Sequence, residues 1–457
     1  MFRYFAGAAA LCMAGGADAA VIDAPRAMFA RLISFDTSSE GKQTPQMAAY
    51  IKAQLVEAGF PSDDIEIIPV GDTAALIARW RGVGEGRPRP VAFLAHMDVV
   101  GADSADWSKP PFELTEDGGK LFGRGVVDNK LGVLSLVRAF IELKEAGFSP
   151  DRDLILAFTG DEETSMASTK MLAARLKDEI AFAVNSDAGG GMITPDGASA
   201  YFVQAAEKTY ATFEVVAVNS GGHSSAPRSD NAIYDLAAAL LKIQAYRFPV
   251  KWNEVSIANF QTLAAFHAEE TADALRRFAA KPGDKKAVRR LEKDPTIDRE
   301  LRTTCVATMV KAGQAENALP QRATATVNCR IFPGETLDAT RAQLVRVVDD
   351  EKIEIVSVGE ALESPVSTTP PEVAAALEKT LMEVAPGADW GPYQEAGGTD
   401  GLHFRRAGVA TVGVGPIIST EGSDYNYHGS DENVPVTEFD RALRFYPIFI
   451  RALADRN

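Results

Sequence analysis

Short apolar runs that alternate with helical patterns are the feature that most constrains the fold of this chain. Such runs cover residues 91–95, 154–158 and 181–184, and residues 131–143 have the periodicity of a buried helix. Strands that alternate with helices are typical of a mostly parallel sheet with helices on both faces. The pattern therefore predicts an α/β fold built around such a sheet.

Acidic and imidazole side chains follow the ends of these runs. In open parallel sheets the chemistry gathers at the carboxyl ends of the strands, so these side chains are expected at one edge of the sheet. A glycine pair and a late loop supply two further candidates. Together the candidates are His96, Asp98, Asp128, Glu162, Glu163, Asp187 and His428.

His96 alone allows two interpretations. A histidine two residues before Asp98 can be a metal ligand whose second ring nitrogen the aspartate holds, but it is more often a structural pair. The other acids favour the metal, because carboxylates crowded at one edge repel each other unless cations neutralise them. Two divalent cations about 3.5–4 Å apart, bridged by one carboxylate, meet that demand. Imidazole and carboxylate ligands without thiolate favour zinc, with cobalt or manganese as alternatives.

A different pattern begins near residue 208. Residues 211–218 and 323–331 alternate like half-buried antiparallel strands. Residues 267–302 are rich in charged side chains and predict a helical segment with a solvated surface. We predict an α+β domain inserted into a catalytic domain, with residues 208–360 in the insert and residues 20–207 and 361–457 in the catalytic domain.

Residues 1–19 have the pattern of an export signal. Arg3 precedes an apolar stretch, and Ala17-Asp18-Ala19 fits a cleavage site before Ala20. The alternative is an N-terminal helix of the mature fold, because Arg3 is the only cation before the apolar stretch. No later segment has the uninterrupted run of about 18 apolar residues that spans a bilayer. We predict an exported protein, periplasmic or secreted, without a membrane span.

The charge of the chain bears on its partners, and its cysteines bear on its compartment. The net charge is −16, and nucleic acid and anionic membranes need a basic face, so neither is an expected partner. Cys12 lies in the predicted signal. Cys305 and Cys329 could pair in an oxidising compartment or could be two small core residues.

Six short motifs occur in order along the chain. They are His96-Met97-Asp98, Gly123-Arg124-Gly125 with Asp128, Asp161-Glu162-Glu163, Ser186-Asp187, Gly222-His223-Ser224 and His428. Taken together they resemble metallopeptidase family twenty, which includes glutamate carboxypeptidase, carboxypeptidase S, aminoacylase, carnosinase and succinyl-diaminopimelate desuccinylase. The resemblance covers nearly the whole mature chain. It implies a zinc-peptidase-like catalytic domain and an inserted lid or dimerisation domain, with a possible homodimer through the insert.

The resemblance implies a catalytic role for most of the candidates. Asp98 would orient His96, and Glu162 would be the general base that moves a proton from water to the leaving nitrogen. For Glu162 the alternative is an acid that favours a helix N-terminus. Two divalent cations would be held by five ligands, with His96 and Asp187 on one, Glu163 and His428 on the other, and Asp128 as the bridge.

The resemblance also implies substrate contacts. His223 would reach a neighbouring active site and stabilise an oxyanion, and its alternative is a histidine that caps a turn. Asn317 and Arg330 would contact a substrate carboxylate, although Arg330 could be a surface charge. Gly398, in a glycine-rich loop, would let backbone amides approach the substrate.

Three features depart from the family pattern or match none of it. Asn129 follows Asp128 where many relatives carry a second aspartate at a cis peptide. The sequence therefore does not decide the conformation of this peptide bond. Residues 265–303 form an added charged segment, as in larger carboxypeptidase-S-like members, which puts the dimer interface in doubt. His267 and His403 match no motif and are interpreted as structural.

These features predict an exported dinuclear metallohydrolase that cleaves an amide bond of short peptides or N-acyl amino acids, as carboxypeptidases and dipeptidases do. An aminoacylase or other deacylase is an alternative. An aminopeptidase is another, and it would need an acid for the substrate ammonium that the sequence does not locate. The alternative from another class is a metal-dependent binding protein without catalytic activity. Such a protein would be free to lose Glu162, which this chain retains.

Overall fold

The computed structural model describes residues 16–194, 197, 199–359 and 361–455, with side chains from Ala24 onward. Most of the predicted signal segment lies outside these residues, and the signal stays a prediction. No described helix is long and apolar enough to cross a bilayer. The helices are α1 Gly16–Ile33, α2 Thr44–Glu57, α3 Lys130–Glu145, α4 Ala167–Leu176, α5 Ala232–Ala245, α6 Glu254–Leu263, α7 Glu269–Ala280, α8 Lys285–Leu291, α9 Pro295–Asp298, α10 Leu337–Val348, α11 Pro371–Val384, α12 Gly401–Arg406 and α13 Val436–Ala454.

The strands fall into a large mixed sheet, a four-stranded antiparallel sheet and two small sheets. In chain order they are β1 Ile65–Val70, β2 Thr73–Trp80, β3 Val91–His96, β4 Thr115–Asp117, β5 Lys120–Phe122, β6 Leu154–Thr159, β7 Phe182–Asn185, β8 Gly190–Ile193, β9 Ser199–Glu207, β10 Thr209–Val218, β11 Gly222–His223, β12 Thr304–Ala312, β13 Ala318–Leu319, β14 Arg322–Ile331, β15 Ile353–Val358, β16 Asp389–Glu395, β17 Ala410–Gly413, β18 Ile418–Thr420 and β19 Asn433–Pro435.

The centre of the large sheet is parallel, with β6, β3, β7 and β17 side by side. Every residue of β3 is buried, because its side chains alternate between two apolar layers. Phe93 packs in the layer that contains residues of α3, α11 and α13. Leu94 packs in the layer that contains residues of α4 and α12. The predicted α/β fold with a mostly parallel sheet and helices on both faces is confirmed.

The large sheet extends beyond this centre on both sides, in the order β1-β2-β6-β3-β7-β17-β9-β8-β18. The outer pairs β1–β2, β2–β6 and β8–β9 are antiparallel. Strand β16 adds to β9 in parallel. Strands β8, β9 and β16 are not anticipated from the apolar pattern, and they form the side of the sheet that lies nearest the inserted segment.

The four-stranded sheet lies within the predicted insert and has the order β12-β14-β10-β15. Strand β14 buries every second residue, and these residues share a core with residues of α5 and α10. Cys305 of β12 and Cys329 of β14 face each other and form a disulfide. The structure thus selects the paired state of these two cysteines.

The charged segment between α5 and β12 is helical, as predicted, but it is more than a solvated surface. Helices α6 to α9 enclose an apolar core of their own, and α6 packs against β16 of the large sheet. At this contact a Cβ on Gly391 would lie 2.2 Å from Thr262 Oγ1. Only glycine therefore permits this close approach of α6 to the sheet.

Phe140 of α3 tests the core that supports the centre of the sheet. Its side chain is 1% exposed, and its ring lies 5.5 Å from that of Trp80 and 6.3 Å from that of Phe93. Phe140→Ala should lower the free energy of unfolding by about 3–5 kcal/mol, measured by urea denaturation, because a cavity replaces the ring. Tyr234→Ala on α5, where the side chain is 65% exposed, is the control and should change it by less than about 0.5 kcal/mol. Equal losses in both variants would contradict this assignment of the core.

Candidate metal centre

His96 stands at the carboxyl end of β3 and is 1% exposed. Its Nδ1 lies 3.0 Å from the backbone oxygen of Asp98. Because a carbonyl oxygen only accepts hydrogen bonds, this contact places a proton on Nδ1 and turns Nε2 toward the acids. Nε2 lies 2.9 Å from Asp128 Oδ1 and 3.3 Å from Asp187 Oδ1.

His428 approaches the same acids from the loop before β19. Its Nε2 lies 3.0 Å from Glu163 Oε1 and 3.1 Å from Asp128 Oδ2. Asp128 therefore directs one carboxylate oxygen toward His96 and the other toward His428. This is the arrangement required of a carboxylate that bridges two cations.

The ligand atoms satisfy the proximity that a metal site demands. In each of two groups they lie within 4.8 Å of one another, and the two groups share Asp128. The structure thus brings together all five ligands that the sequence predicts. Nitrogen and oxygen donors without sulfur fit zinc, cobalt or manganese. These two groups are His96 with Asp128 and Asp187, and Asp128 with Glu163 and His428, and a third group joins His96 with Glu162 and Glu163.

The charges in this cluster are strongly perturbed. Burial raises the pKa of Asp187 to about 7 and that of Glu162 well above its usual range. Hydrogen bonds to Asp128 and Glu163 raise the pKa of His428 to about 10. Burial alone would raise the pKa of Asp128, but hydrogen bonds from His428 and His96 hold this pKa below its usual range. Crowded carboxyl groups of this kind are stabilised by cations, which supports a metal site.

Asp98 makes contacts beyond the orientation of His96 that the family pattern implies. Its carboxylate accepts hydrogen bonds from the backbone N–H groups of Glu162, at 3.1 Å, and Glu163, at 3.0 Å. The carboxylate lies 3.6 Å from His96 Nδ1, whereas its backbone oxygen lies at 3.0 Å. Asp98 therefore orients the histidine through its main chain and holds the neighbouring acid pair through its side chain.

The backbone after Asp128 adopts a cis peptide at Asp128–Asn129, which answers the question left by the sequence. The Asn129 side chain donates a hydrogen bond to Asp187 Oδ1 at 2.6 Å. An aspartate at this position could not donate in its ionised form. A Cβ on Gly132 would lie 1.9 Å from Asn129 Oδ1, so glycine makes room for this contact.

Glu432 is a buried residue of the site that the sequence analysis did not single out. Its carboxylate accepts the backbone N–H groups of Gly125, Val127 and Asp128, and it pairs with Arg124 at 2.8 Å. These contacts fix the loop that presents the bridging aspartate. Glu432 lies four residues after His428. The sequence does not indicate that it contacts a loop about 300 residues earlier in the chain.

His223 and Asn317 lie together at the end of the insert. His223 is exposed on β11, where its Nδ1 lies 2.7 Å from Ser225 Oγ. The N–H of the following Ser224 donates to the backbone oxygen of Asn317 at 3.0 Å. The described ligand groups do not include either residue.

Arg330 connects the insert to the catalytic domain. It lies on β14 over the ring of Tyr210, and its Nη1 donates to the backbone oxygen of Ala396 at 2.9 Å. Ala396 begins the glycine-rich loop that contains the exposed Gly398. The structure thus places these two predicted substrate contacts side by side.

A cleft of about 490 Å³ adjoins the ligand cluster and is lined by Asp128 and Asp187. The helical segment of the insert supplies part of its wall, including His267 and Glu300. His267 matches no motif and is interpreted as structural from the sequence. Its position in the cleft results from packing, which the sequence does not indicate.

Two relatives illustrate what the sequence is similar to. A probable carboxypeptidase S-like protein 2 of Dictyostelium discoideum is 27% identical over 384 residues, which cover 81% of this chain and 73% of that protein. The human N-fatty-acyl-amino acid synthase/hydrolase PM20D1 is 26% identical over 370 residues, which cover 78% of this chain and 72% of that protein.

Among solved structures, human carnosine dipeptidase 1 has a similar fold. Its TM-score is 0.69 at 17% identity, with 95% of this chain and 96% of that chain covered. At this identity the likeness supports the fold alone.

The family follows from a match to residues 92–452, a span that contains the five ligands and Glu162. The matching family is described as Peptidase family M20/M25/M40. The predicted resemblance and enzyme class, a metallopeptidase or related amidohydrolase, are confirmed. The chain belongs to peptidase family M20/M25/M40.

Proposed function

We propose that this protein is an exported dinuclear metallohydrolase that cleaves an amide bond of short peptides or N-acyl amino acids. The observation that carries the proposal is Asp128, whose two oxygens lie 2.9 Å and 3.1 Å from the imidazoles of His96 and His428. The names of the relatives, among them a carboxypeptidase S-like protein and an N-fatty-acyl-amino acid hydrolase, support both substrate types. The disulfide of the insert supports an oxidising compartment and hence export.

Two divalent cations, most simply zinc, fit the ligand cluster as two adjoining sites. His96 and Asp187 would hold one cation, Glu163 and His428 would hold the other, and Asp128 would bridge them. When bound, the cations lower the pKa of water in the cleft and polarise the carbonyl of the scissile amide.

In the proposed reaction Glu162 moves the proton. It takes a proton from the attacking water as the new C–O bond forms, and it delivers that proton to the nitrogen as the C–N bond breaks. The hydrogen bond from its own N–H to Asp98 holds its backbone beside the ligand Glu163. Burial raises the pKa of Glu162, and two neighbouring cations would lower it, so that Glu162 could act as a base.

Glu162→Gln tests the general base. The variant should bind metal like the native protein, because the proposed ligand set does not include Glu162, but its kcat should fall by about 10²–10⁴-fold. Metal content by atomic emission and the rate of amine release from dipeptides and N-acyl amino acids measure the two effects. Glu142→Gln on α3, an exposed position, is the matched control and should keep full activity. An unchanged rate in Glu162→Gln would contradict the mechanism and would favour another base.

Metal removal tests the cofactor. Protein treated with a chelator should lose its amidase activity and recover it when zinc, cobalt or manganese is added, because the attacking water is otherwise too weakly acidic. Titration should recover activity with about two equivalents of metal per chain. Full activity in metal-free protein would contradict a metallohydrolase, and saturation at one equivalent would contradict the dinuclear site.

We also propose that the protein acts as a homodimer in which His223 serves the active site of the partner. Strand β12 is an edge strand, and its side chains of Val306, Met309 and Val310 are 61–69% exposed. An exposed apolar edge of this kind is a surface on which a second copy can pair. His223, exposed in the same insert, would then stabilise the oxyanion of the neighbouring site.

Mixing two inactive variants tests this arrangement. Glu162→Gln and His223→Ala homodimers should each be nearly inactive. After subunit exchange, a mixed dimer contains one site with an intact Glu162 and an intact His223, so an equal mixture should recover about a quarter of the native activity. No recovery, despite mixed dimers detected by mass spectrometry, would show that His223 acts within its own chain. Full activity of the His223→Ala homodimer would show that His223 has no catalytic role.

A further inference from the structure

The cleft beside the ligand cluster has walls from two parts of the chain. One wall belongs to the catalytic domain and includes Met192, Phe202 and Ile417. The other belongs to the helical segment of the insert and includes Leu263 and Ile297. With a volume of about 490 Å³, the cleft is large enough for a ligand group of a dozen or more heavy atoms.

We propose that this cleft is an acyl subsite that holds a large, uncharged, apolar acyl group, with the helical segment α6–α9 as its specificity-determining wall. The inference rests on the proposed function, because the scissile amide must lie at the ligand cluster while its acyl side extends into the cleft. It goes further by choosing one substrate class, a long-chain N-acyl amino acid.

The cleft extends directly to the ligand cluster. Asp128 and Asp187, two of the five ligands, line the same cavity as Leu263 and Ile297. A carbonyl at the ligands therefore has continuous space for the chain attached to it. Removing apolar surface of that chain from water stabilises the complex by about 0.8 kcal/mol per methylene.

A carboxylate on the acyl group fits this cleft poorly. Glu300 and Glu395 line it together with the two acidic ligands. Glu300 is 8% exposed, and its Oε2 has no hydrogen-bond partner in the described structure. Burial raises the pKa of Glu300 to about 7, because its carboxylate is poorly hydrated. A second carboxylate beside it would lose its hydration and meet like charge. Arg299 also lines the cleft, but its guanidinium is already paired with Glu300.

An ammonium group on the acyl chain also fits poorly, because three of the four oxygens of Glu300 and Glu395 are already engaged. Glu300 Oε1 lies 3.3 Å from Arg299 Nε. Glu395 accepts the hydroxyl of Tyr393 at 2.8 Å and the backbone N–H groups of Ala396 and Gly397. Of these two acids only Glu300 Oε2 is left as a free acceptor, and one oxygen cannot replace the three hydrogen bonds to water that an ammonium gives up. These contacts favour the uncharged acyl group over the free amino terminus of a dipeptide.

Calorimetry on zinc-loaded Glu162→Gln tests the subsite without turnover. The probes are N-acetylglycine, N-octanoylglycine, and the same eight-carbon acyl chain ending in an amino group or a carboxylate. Affinity should rise by about fourfold per methylene until the cleft is full, at least a hundredfold from acetyl to octanoyl. Both charged ends should weaken binding at least tenfold relative to octanoyl. Equal affinity for acetyl and octanoyl, or stronger binding of the charged probes, would overturn the proposal.

A pair of matched substitutions locates the effect. Leu263→Trp places a larger side chain in the cleft and should weaken octanoyl binding at least tenfold while leaving acetyl binding unchanged. Leu241→Trp on α5, where the leucine is 64% exposed and outside the cleft, should change neither. Equal responses in the two variants would overturn the assignment of this wall. The outcome is separable from the proposed function, since loss of hydrolysis in the native enzyme would sink that function and leave these affinities measurable.

Discussion

The mutual repulsion of four acids at one edge of a sheet is the constraint on which the rest of the site depends. Asp128, Glu162, Glu163 and Asp187 would separate if their backbones could move. Hydrogen-bonded registers hold β3 between β6 and β7, so the loops that follow these strands cannot drift apart. Buried carboxylates then anchor the loops through main-chain N–H groups, Glu432 for the first acid and Asp98 for the middle pair. The scaffold thus holds the four acids together at this edge of the sheet.

Much of this arrangement could be predicted from sequence, because periodicity and strand order are local properties. The apolar runs that became β3, β6 and β7 fixed a parallel centre, and the acids after them then had to meet at one edge. The five ligands follow from that logic and from the resemblance to the family. The geometry added what spacing does not contain, namely that Asp98 reaches His96 mainly through its carbonyl and that Asn129 donates to Asp187.

Other features could not be predicted, for identifiable physical reasons. Strand β12 is exposed over most of its length and has a bulge between Ala307 and Met309, so it lacks the alternation of a half-buried strand. Strand β16 contains Gly391 and Pro392, which are more typical of a loop than of the interior of a strand. Glu432 and its partners are far apart in the chain. The charged composition of α7–α9 indicated a surface, yet their apolar residues form a core that carries one wall of the cleft.

The helical wall of the cleft is one uninterrupted stretch of chain, from α6 to the residues after α9, and none of the five ligands lies within it. In the proposed arrangement, the reacting groups and the wall that selects the substrate therefore lie in separate parts of the chain. Substitutions, insertions or recombination in this stretch can alter what the enzyme accepts while the reacting groups stay intact. Such an arrangement would let related hydrolases change their substrate specificity without passing through inactive intermediates.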